Sequence, residues 1–316
     1  MMMYGLAAFI SLAIVSVMVP IVRRFALQYG IMDRPNARKI HRQPIPLLGG
    51  IAIYVACTVT IIAFQGMTSL SWTIAAGGAV LVTVGLLDDK AKAEGRDFPV
   101  WPRVLVYGAV STLPLWFHIQ ITGVTNPASG LFFFLPHWVA WLGTSIWIFA
   151  LINMINFMDG VDGLASGVCV LSAVTLFITA LVKGQAETAI LAAIVGGACL
   201  GFLVFNFYPA RIFMGDAGAT FLGYTLAVVA VDGAFKKATF ITVLVPLLAL
   251  GLPIMDTSIV MLRRLVRGKG LHHADKLHTH HALMKWGLNQ VQTVSFLYLI
   301  AALFSMLSII LLLVMG

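Results

Sequence analysis

Long apolar stretches alternate with short polar joints along the whole chain. About ten apolar runs approach the ~17–25-residue scale on which a helix crosses a bilayer, near 4–22, 47–64, 71–87, 104–118, 136–153, 163–182, 188–205, 217–233, 238–260 and 288–315. No strand-period alternation competes with them, which argues against a β-barrel. The pattern predicts an all-α, polytopic integral membrane protein of about ten transmembrane helices, one transmembrane domain over residues 1–316. The first run lacks a basic lead and a small-residue cleavage site, and Arg23-Arg24 follow it directly, so it reads as a retained helix.

Composition supports this class. Hydrophobic residues make up 60% of the chain and charged residues 10%, against roughly a quarter charged in soluble domains. The three cysteines, Cys57, Cys169 and Cys199, lie inside apolar runs with no metal or disulfide spacing and read as small buried hydrophobes. The longest hydrophilic segments are too short for a core of their own, and nothing points to a nucleic-acid partner.

Charge placement adds an orientation. Alternating the spans sorts the joints into two sets. The set 23–46, 88–103, 153–162, 206–216 and 256–287 carries 17 of the 20 Lys and Arg, leaving Lys183, Lys236 and Lys237 for the other. By the positive-inside rule the first set is cytoplasmic, and ten spans place both termini outside. Ten of the twelve acids also fall in the first set, although Asp and Glu contribute little to orientation. The interiors of the runs hold no Asp, Glu, Lys or Arg. Transporters and pumps usually keep ionisable groups near the midplane, whereas here the polar chemistry collects at one face.

Five joints carry that chemistry. In "GLLDDKAKAEGRDF", Asp88 and Asp89 are adjacent at a helix C-terminus, where each opposes the macrodipole at a cost of about 0.3–1 kcal/mol. A bound cation or a catalytic role would account for that; a solvated turn helped by Lys90 and Lys92 is the plainer alternative. In "NMINFMDGVDGLASG", Asn153, Asn156, Asp159 and Asp162 recur every three residues, which makes one polar stripe on a helix end. "NFYPARIFMGDAGATFLGY" gathers Asn206, Pro209, Arg211, Phe213 and Asp216 before the next span. Asp216 there is either an ordinary N-cap or a Mg²⁺ ligand facing a diphosphate, and Phe213 either stacks a nucleobase or anchors the interface. "RRLVRGKGLHHADKLHTHHALMKWG" holds five of the eight histidines among basic residues, which suits phosphate better than a metal cation. Attraction to anionic headgroups explains its Arg and Lys equally well. Lys39, His41 and Arg42, before the second span, either meet a phosphate or enforce orientation.

Together "LLDDK", "NMINFMDGVDGLASG", "NFYPARIFMGDAG", "PIMDT" and "DKLHTHHAL" resemble, in order and on one face, the polyprenyl-phosphate N-acetylhexosamine-1-phosphate transferase family, within glycosyltransferase family 4. The histidine segment is similar to the branch that starts wall teichoic acid, O-antigen or enterobacterial common antigen chains. The related phospho-N-acetylmuramoyl-pentapeptide branch usually has three consecutive histidines where this chain reads His278-Thr279-His280-His281.

The resemblance implies a Mg²⁺-dependent reaction, with Mn²⁺ as the alternative ion, at the bacterial cytoplasmic membrane. The phosphate of undecaprenyl phosphate attacks the β-phosphorus of UDP-N-acetylglucosamine, giving undecaprenyl-diphospho-N-acetylglucosamine and UMP. It further implies Asp216 as a metal ligand, Asp88 and Asp89 as the adjacent catalytic pair with Asp88 a second candidate ligand, and His278, His280 and His281 at the substrate phosphates. Asn156, Asp159 and Asp162 match the nucleotide-side cluster, Asn206 the asparagine before the Pro-Ala dipeptide and Phe213 the uracil platform. Arg211, Lys39 and His41 are candidate substrate contacts on their own charge and position, outside what the resemblance implies. A homodimer is compatible with the resemblance.

Two departures stand out. Family members often carry an arginine before the glycine pair that opens the second span, where this chain reads Pro46-Leu47-Leu48-Gly49-Gly50. Sugar-specific relatives generally have an eleventh span, and ten is the count of the muramoyl-pentapeptide branch. The rival readings are therefore transfer of phospho-N-acetylmuramoyl-pentapeptide, a nucleotide-sugar or lipid-phosphate transporter, and a zinc-dependent membrane hydrolase.

Overall fold

The structure is a computed structural model that describes residues 1–35, 43–125, 131–235, 238–239, 243–266 and 278–315. Twelve α-helices occur among them: α1 (Met2–Gln28), α2 (Gly49–Gln65), α3 (Ser69–Ala93), α4 (Val100–Trp116), α5 (His137–Met158), α6 (Leu164–Val182), α7 (Ala186–Asn206), α8 (Gly215–Ala230), α9 (Leu244–Ala249), α10 (Gly251–Val266), α11 (Thr279–Lys285) and α12 (Gln290–Met315). A π-helical turn, Val231–Phe235, extends α8. The only strands among the described residues are short: Met32–Asp33 pairs with Ile45–Pro46, and Gly123–Thr125 pairs with Phe132–Phe134 and with Ala238–Thr239.

Every apolar run in the sequence contains a helix, with the 238–260 run broken at Leu250 into α9 and α10. Helices α1, α3, α5, α6, α7 and α12 are long and apolar enough to cross a membrane, and α2 is a shorter apolar helix. Helix is the expected solution in lipid, because it satisfies each backbone polar group within its own segment.

Helix α8 is the axis of the bundle. Apart from Asp216, each of its residues is buried, and it packs against α3, α5 and α2. Lipid is as apolar as a leucine side chain, so close packing must supply cohesion that the hydrophobic effect would give in water. The sequence meets that need with small residues at the crossings. A Cβ on Gly85 of α3 would lie 2.4 Å from the backbone of Ala217, and one on Gly50 of α2 would lie 2.2 Å from Gly218 N. Two helices, α2 and α3, thereby converge on the N-terminal turn of α8, and that convergence positions the site.

Candidate active site

The site starts from that turn. Asp89, 1% exposed, accepts from the backbone N–H of Asp216 on Oδ1 at 3.0 Å and from that of Ala217 on Oδ2 at 3.4 Å. It therefore caps α8 from α3, answering orphan N–H groups and the positive end of the helix dipole. Gly215 leads into the turn at φ +68°, and a Cβ there would lie 2.3 Å from Asp89 Oδ2. Only glycine admits both the left-handed backbone and the carboxylate.

Asp88 faces the other way, toward α4. Its Oδ2 takes Arg103 Nη1 at 2.8 Å and Lys92 Nζ at 3.3 Å. The same lysine reaches Asp216 Oδ1 at 2.7 Å, and Arg103 Nη1 stands 3.7 Å from Asp216 Oδ2. Two cations thus bridge two carboxylates that would otherwise repel. Among the described residues, Asp88 Oδ1 and Asp216 Oδ2 are buried with no N–H or hydroxyl donor paired to them, and the two carboxyl groups lie within hydrogen-bonding reach of each other. Two such acceptors suit Mg²⁺, which usually takes one or two carboxylates and completes its shell with phosphate and water. No group of three or more His, Cys, Asp or Glu is placed to hold a metal among the described residues.

The second wall joins the α5–α6 turn to the loop before α8. Asp162 Oδ2 accepts from Ala210 N at 2.9 Å. Asn206, 2% exposed, accepts from Gly163 N at 3.2 Å and from Ser166 Oγ at 2.8 Å, and donates to Ile212 O at 3.0 Å. Asp162 and Asn206 therefore fix the two segments to each other with their side chains turned inward. Tyr298 of α12 adds a hydrogen bond to Gly163 O at 2.5 Å. Phe213 is held by its backbone, N–H to Pro46 O at 2.9 Å and carbonyl from Gly49 N at 3.0 Å, with its ring partly exposed. Arg211 is exposed, and its carbonyl accepts from Arg23 Nε at 3.1 Å. Asn156 and Asp159 lie partly exposed at the end of α5. Burial, and after it the charge of Asp216, pushes the Asp159 carboxyl up to about 7.

The histidines close the third side. Asp256 of α10 accepts from Thr279 N at 2.7 Å and pairs with His278 Nδ1 at 2.7 Å, so one carboxylate both starts α11 and orients the ring. His280 stacks on His278 with ring centroids 5.7 Å apart and lies 4.3 Å from His281. Its Nε2 is 3.1 Å from where a Cβ on Gly160 would stand, which brings the histidines over the Asp159 turn. Burial, then the neighbouring His281 and His278, holds His280 down at about 3. A ring held that low is uncharged at pH 7 and can offer hydrogen bonds rather than charge.

One end of the bundle therefore brings together Asp88, Asp89, Asp216, Asn156, Asp159, Asp162, Asn206, Arg211, Phe213 and the three histidines. Lys39 and His41 lie outside the described residues. Lys92, Arg103 and Asp256 were not foreseen as site residues. Lys92 had a legible signal, four residues after Asp88 on a helix. Arg103 had none, because only the antiparallel return of α4 brings it back.

The description "Glycosyl transferase family 4" matches residues 71–234, which include Asp88, Asp89, both loops of the second wall and Asp216. The chain is 34% identical over 306 residues to a "Probable undecaprenyl-phosphate N-acetylglucosaminyl 1-phosphate transferase" of Bacillus subtilis, covering 96% of this chain and 84% of the relative. It is 30% identical over 292 residues to an "Undecaprenyl-phosphate alpha-N-acetylglucosaminyl 1-phosphate transferase" of Escherichia coli K12, covering 89% and 76%. A "Decaprenyl-phosphate N-acetylglucosaminephosphotransferase" of Mycolicibacterium smegmatis is 28% identical over 315 residues, covering 88% and 74%.

Proposed function

The chain belongs to glycosyl transferase family 4, and from that premise we propose that it transfers N-acetylglucosamine-1-phosphate from UDP-N-acetylglucosamine to undecaprenyl phosphate. An oxygen of the lipid phosphate forms a bond to the β-phosphorus. The bond from that phosphorus to the bridging oxygen breaks, and UMP leaves with the electron pair. The product, undecaprenyl-diphospho-N-acetylglucosamine, opens a cell-envelope polymer such as wall teichoic acid.

The observation that carries the reading is the Asp88–Asp216 pair with its two unfilled buried oxygens beside Lys92 and Arg103. Phosphoryl transfer between anions needs positioning and charge neutralisation more than a strong nucleophile. Mg²⁺ held by Asp216 and Asp88, or Mn²⁺ in its place, would supply a clamp on the diphosphate charge. Lys92 and Arg103 add positive charge from the protein itself, and Asp89 holds the helix that presents Asp216. The neutral His280, with His278 oriented by Asp256 and His281 beside it, offers hydrogen bonds to phosphate oxygens. Phe213 and the Asn156–Asp159 turn form the nucleotide side, braced from beneath by Asp162 and Asn206. A prenyl phosphate is already largely ionised near neutral pH, its second pKa being about 6 by analogy with phosphoamino acids, so Asp88 serves as ligand and positioner rather than as base. The site lies at the cytoplasmic face of a ten-span bundle in the bacterial inner membrane.

Donor choice separates this reading from its nearest rival. Purified protein given undecaprenyl phosphate and Mg²⁺ is expected to release UMP with UDP-N-acetylglucosamine and not with UDP-N-acetylmuramoyl-pentapeptide. Release with the second donor alone would keep the chemistry and overturn the substrate. Uptake into proteoliposomes without UMP release would move the protein to the transporter class.

A further inference from the structure

Tyr107 is 3% exposed and stands on α4 four residues after Arg103, so the two share a face of that helix. Its hydroxyl is within electrostatic reach of Asp216, Arg103, Asp88 and Lys92. The hydroxyl is buried and has no hydrogen-bond partner among the described residues. Three other tyrosines in the bundle each find a carbonyl: Tyr54 bonds Ala75 O at 3.0 Å, Tyr224 bonds Thr73 O at 3.1 Å and Tyr298 bonds Gly163 O. Buried phenols normally do so, because an unmade bond leaves the desolvation cost uncompensated. At Tyr107 a phenylalanine would fill the same space without that cost.

The neighbouring orphans indicate what is missing. Arg103 Nε is buried and unpartnered beside the equally unpartnered Asp88 Oδ1 and Asp216 Oδ2. Two of these four atoms only accept hydrogen bonds, Nε only donates, and the phenol is free to donate. A cation alone would leave the donors empty, and an anion alone would face two carboxylates. A phosphate oxygen together with a divalent cation would supply both the acceptor that the donors lack and the charge that the carboxylates lack.

On the reading proposed above, we infer that Tyr107 is a substrate-contacting residue whose hydroxyl donates to a phosphate oxygen, with Arg103 Nε as the second donor. The phosphate belongs either to the donor diphosphate or to the acceptor lipid, and the same substitution tells them apart.

The test is Tyr107→Phe, which removes the hydroxyl and keeps the ring. Three readouts are compared with wild type: melting temperature without ligand, the Kd of Mg²⁺–UDP-N-acetylglucosamine by calorimetry, and steady-state kcat and KM for undecaprenyl phosphate. The melting temperature is expected to stay level or rise. A hydrogen bond to a charged group is worth enough that its loss weakens binding by about tenfold or more. That loss in the donor Kd assigns the donor diphosphate, and the same loss in acceptor KM with donor Kd unchanged assigns the lipid phosphate. A fall in kcat alone assigns a bond made at the transition state. If all values stay unchanged, or if the melting temperature drops while donor Kd and kinetics hold, the inference is overturned. Wild-type protein that releases no UMP with any UDP-sugar would instead remove the reading on which it rests.

Discussion

The carboxylate of Asp89 accepts the backbone N–H of Asp216 at 3.0 Å, so one of two adjacent aspartates builds the helix end on which the site depends. Its neighbour Asp88 points to Arg103 and Lys92 instead. Successive residues on a helix face different directions. That geometry divides a doublet of identical residues into a structural cap and a site carboxylate.

The division predicts opposite mutational signatures. Asp89→Ala removes the cap and is expected to cost about 1–2 kcal/mol of stability, read as a lower melting temperature, with activity lost in proportion to unfolding. Asp88→Asn is expected to melt near wild type while UMP release falls at least about a hundredfold. A doublet whose two members respond alike would contradict it.

Asp216→Asn should also remain folded. Three carboxylates (Asp88, Asp89, Asp216) surround two cations (Lys92, Arg103) here. Neutralising one carboxylate leaves those five groups balanced rather than stranding a buried cation, the case that destabilises strongly. A melting temperature within a few degrees of wild type, together with at least about a hundredfold loss of turnover, is expected. Restored turnover at high Mg²⁺ would indicate that the site keeps enough ligands without it.

The reach of the sequence is clearest at these same residues. Apolar runs located a helix in each of ten places, because burial in lipid or protein leaves an uninterrupted apolar signal. The polar positions that gather at one end of the bundle were legible where an acid or amide broke that signal, as at Asp88, Asp159 and Asp216. Partnerships were not legible. Asp89 meets α8 across 127 positions, and Asp256 meets His278 across 22. Tyr107 lies inside an apolar run, and only the packing of α4 against α3 puts its hydroxyl among charges. The break at Leu250 between α9 and α10 was likewise hidden, since both halves are apolar there.

Asp159 predicts a pH dependence of stability. Its folded pKa of about 7 lies above the ordinary carboxyl value of 3.8, so the stability it contributes is full below 3.8 and is lost as pH rises through 7. Asp159→Asn removes that loss. The variant is expected to melt level with wild type near pH 3.5 and above it at pH 8, as scanning calorimetry or fluorescence in the same detergent would read. An equal difference at both pH values would rule out titration as its cause.

Asp256→Asn tests the orientation of the histidines. The neutral amide keeps one acceptor but cannot pair with His278 as a carboxylate does. Turnover is expected to fall about tenfold to a hundredfold, the scale on which loss of an orienting partner acts at metal and catalytic histidines. Donor affinity measured by calorimetry should change less than kcat. Unchanged turnover would place His278 outside the reaction.

On the proposed function, Asp88 and Asp216 leave two oxygens for a divalent cation that meets the donor diphosphate. The most direct test is calorimetric titration of UDP-N-acetylglucosamine into purified protein with Mg²⁺ and with EDTA, for wild type and Asp216→Asn. Mg²⁺ is expected to tighten donor binding to wild type by about tenfold or more, a coupling above 1.4 kcal/mol, and to do little for the variant. Equal donor affinity with and without Mg²⁺ in wild type would contradict it.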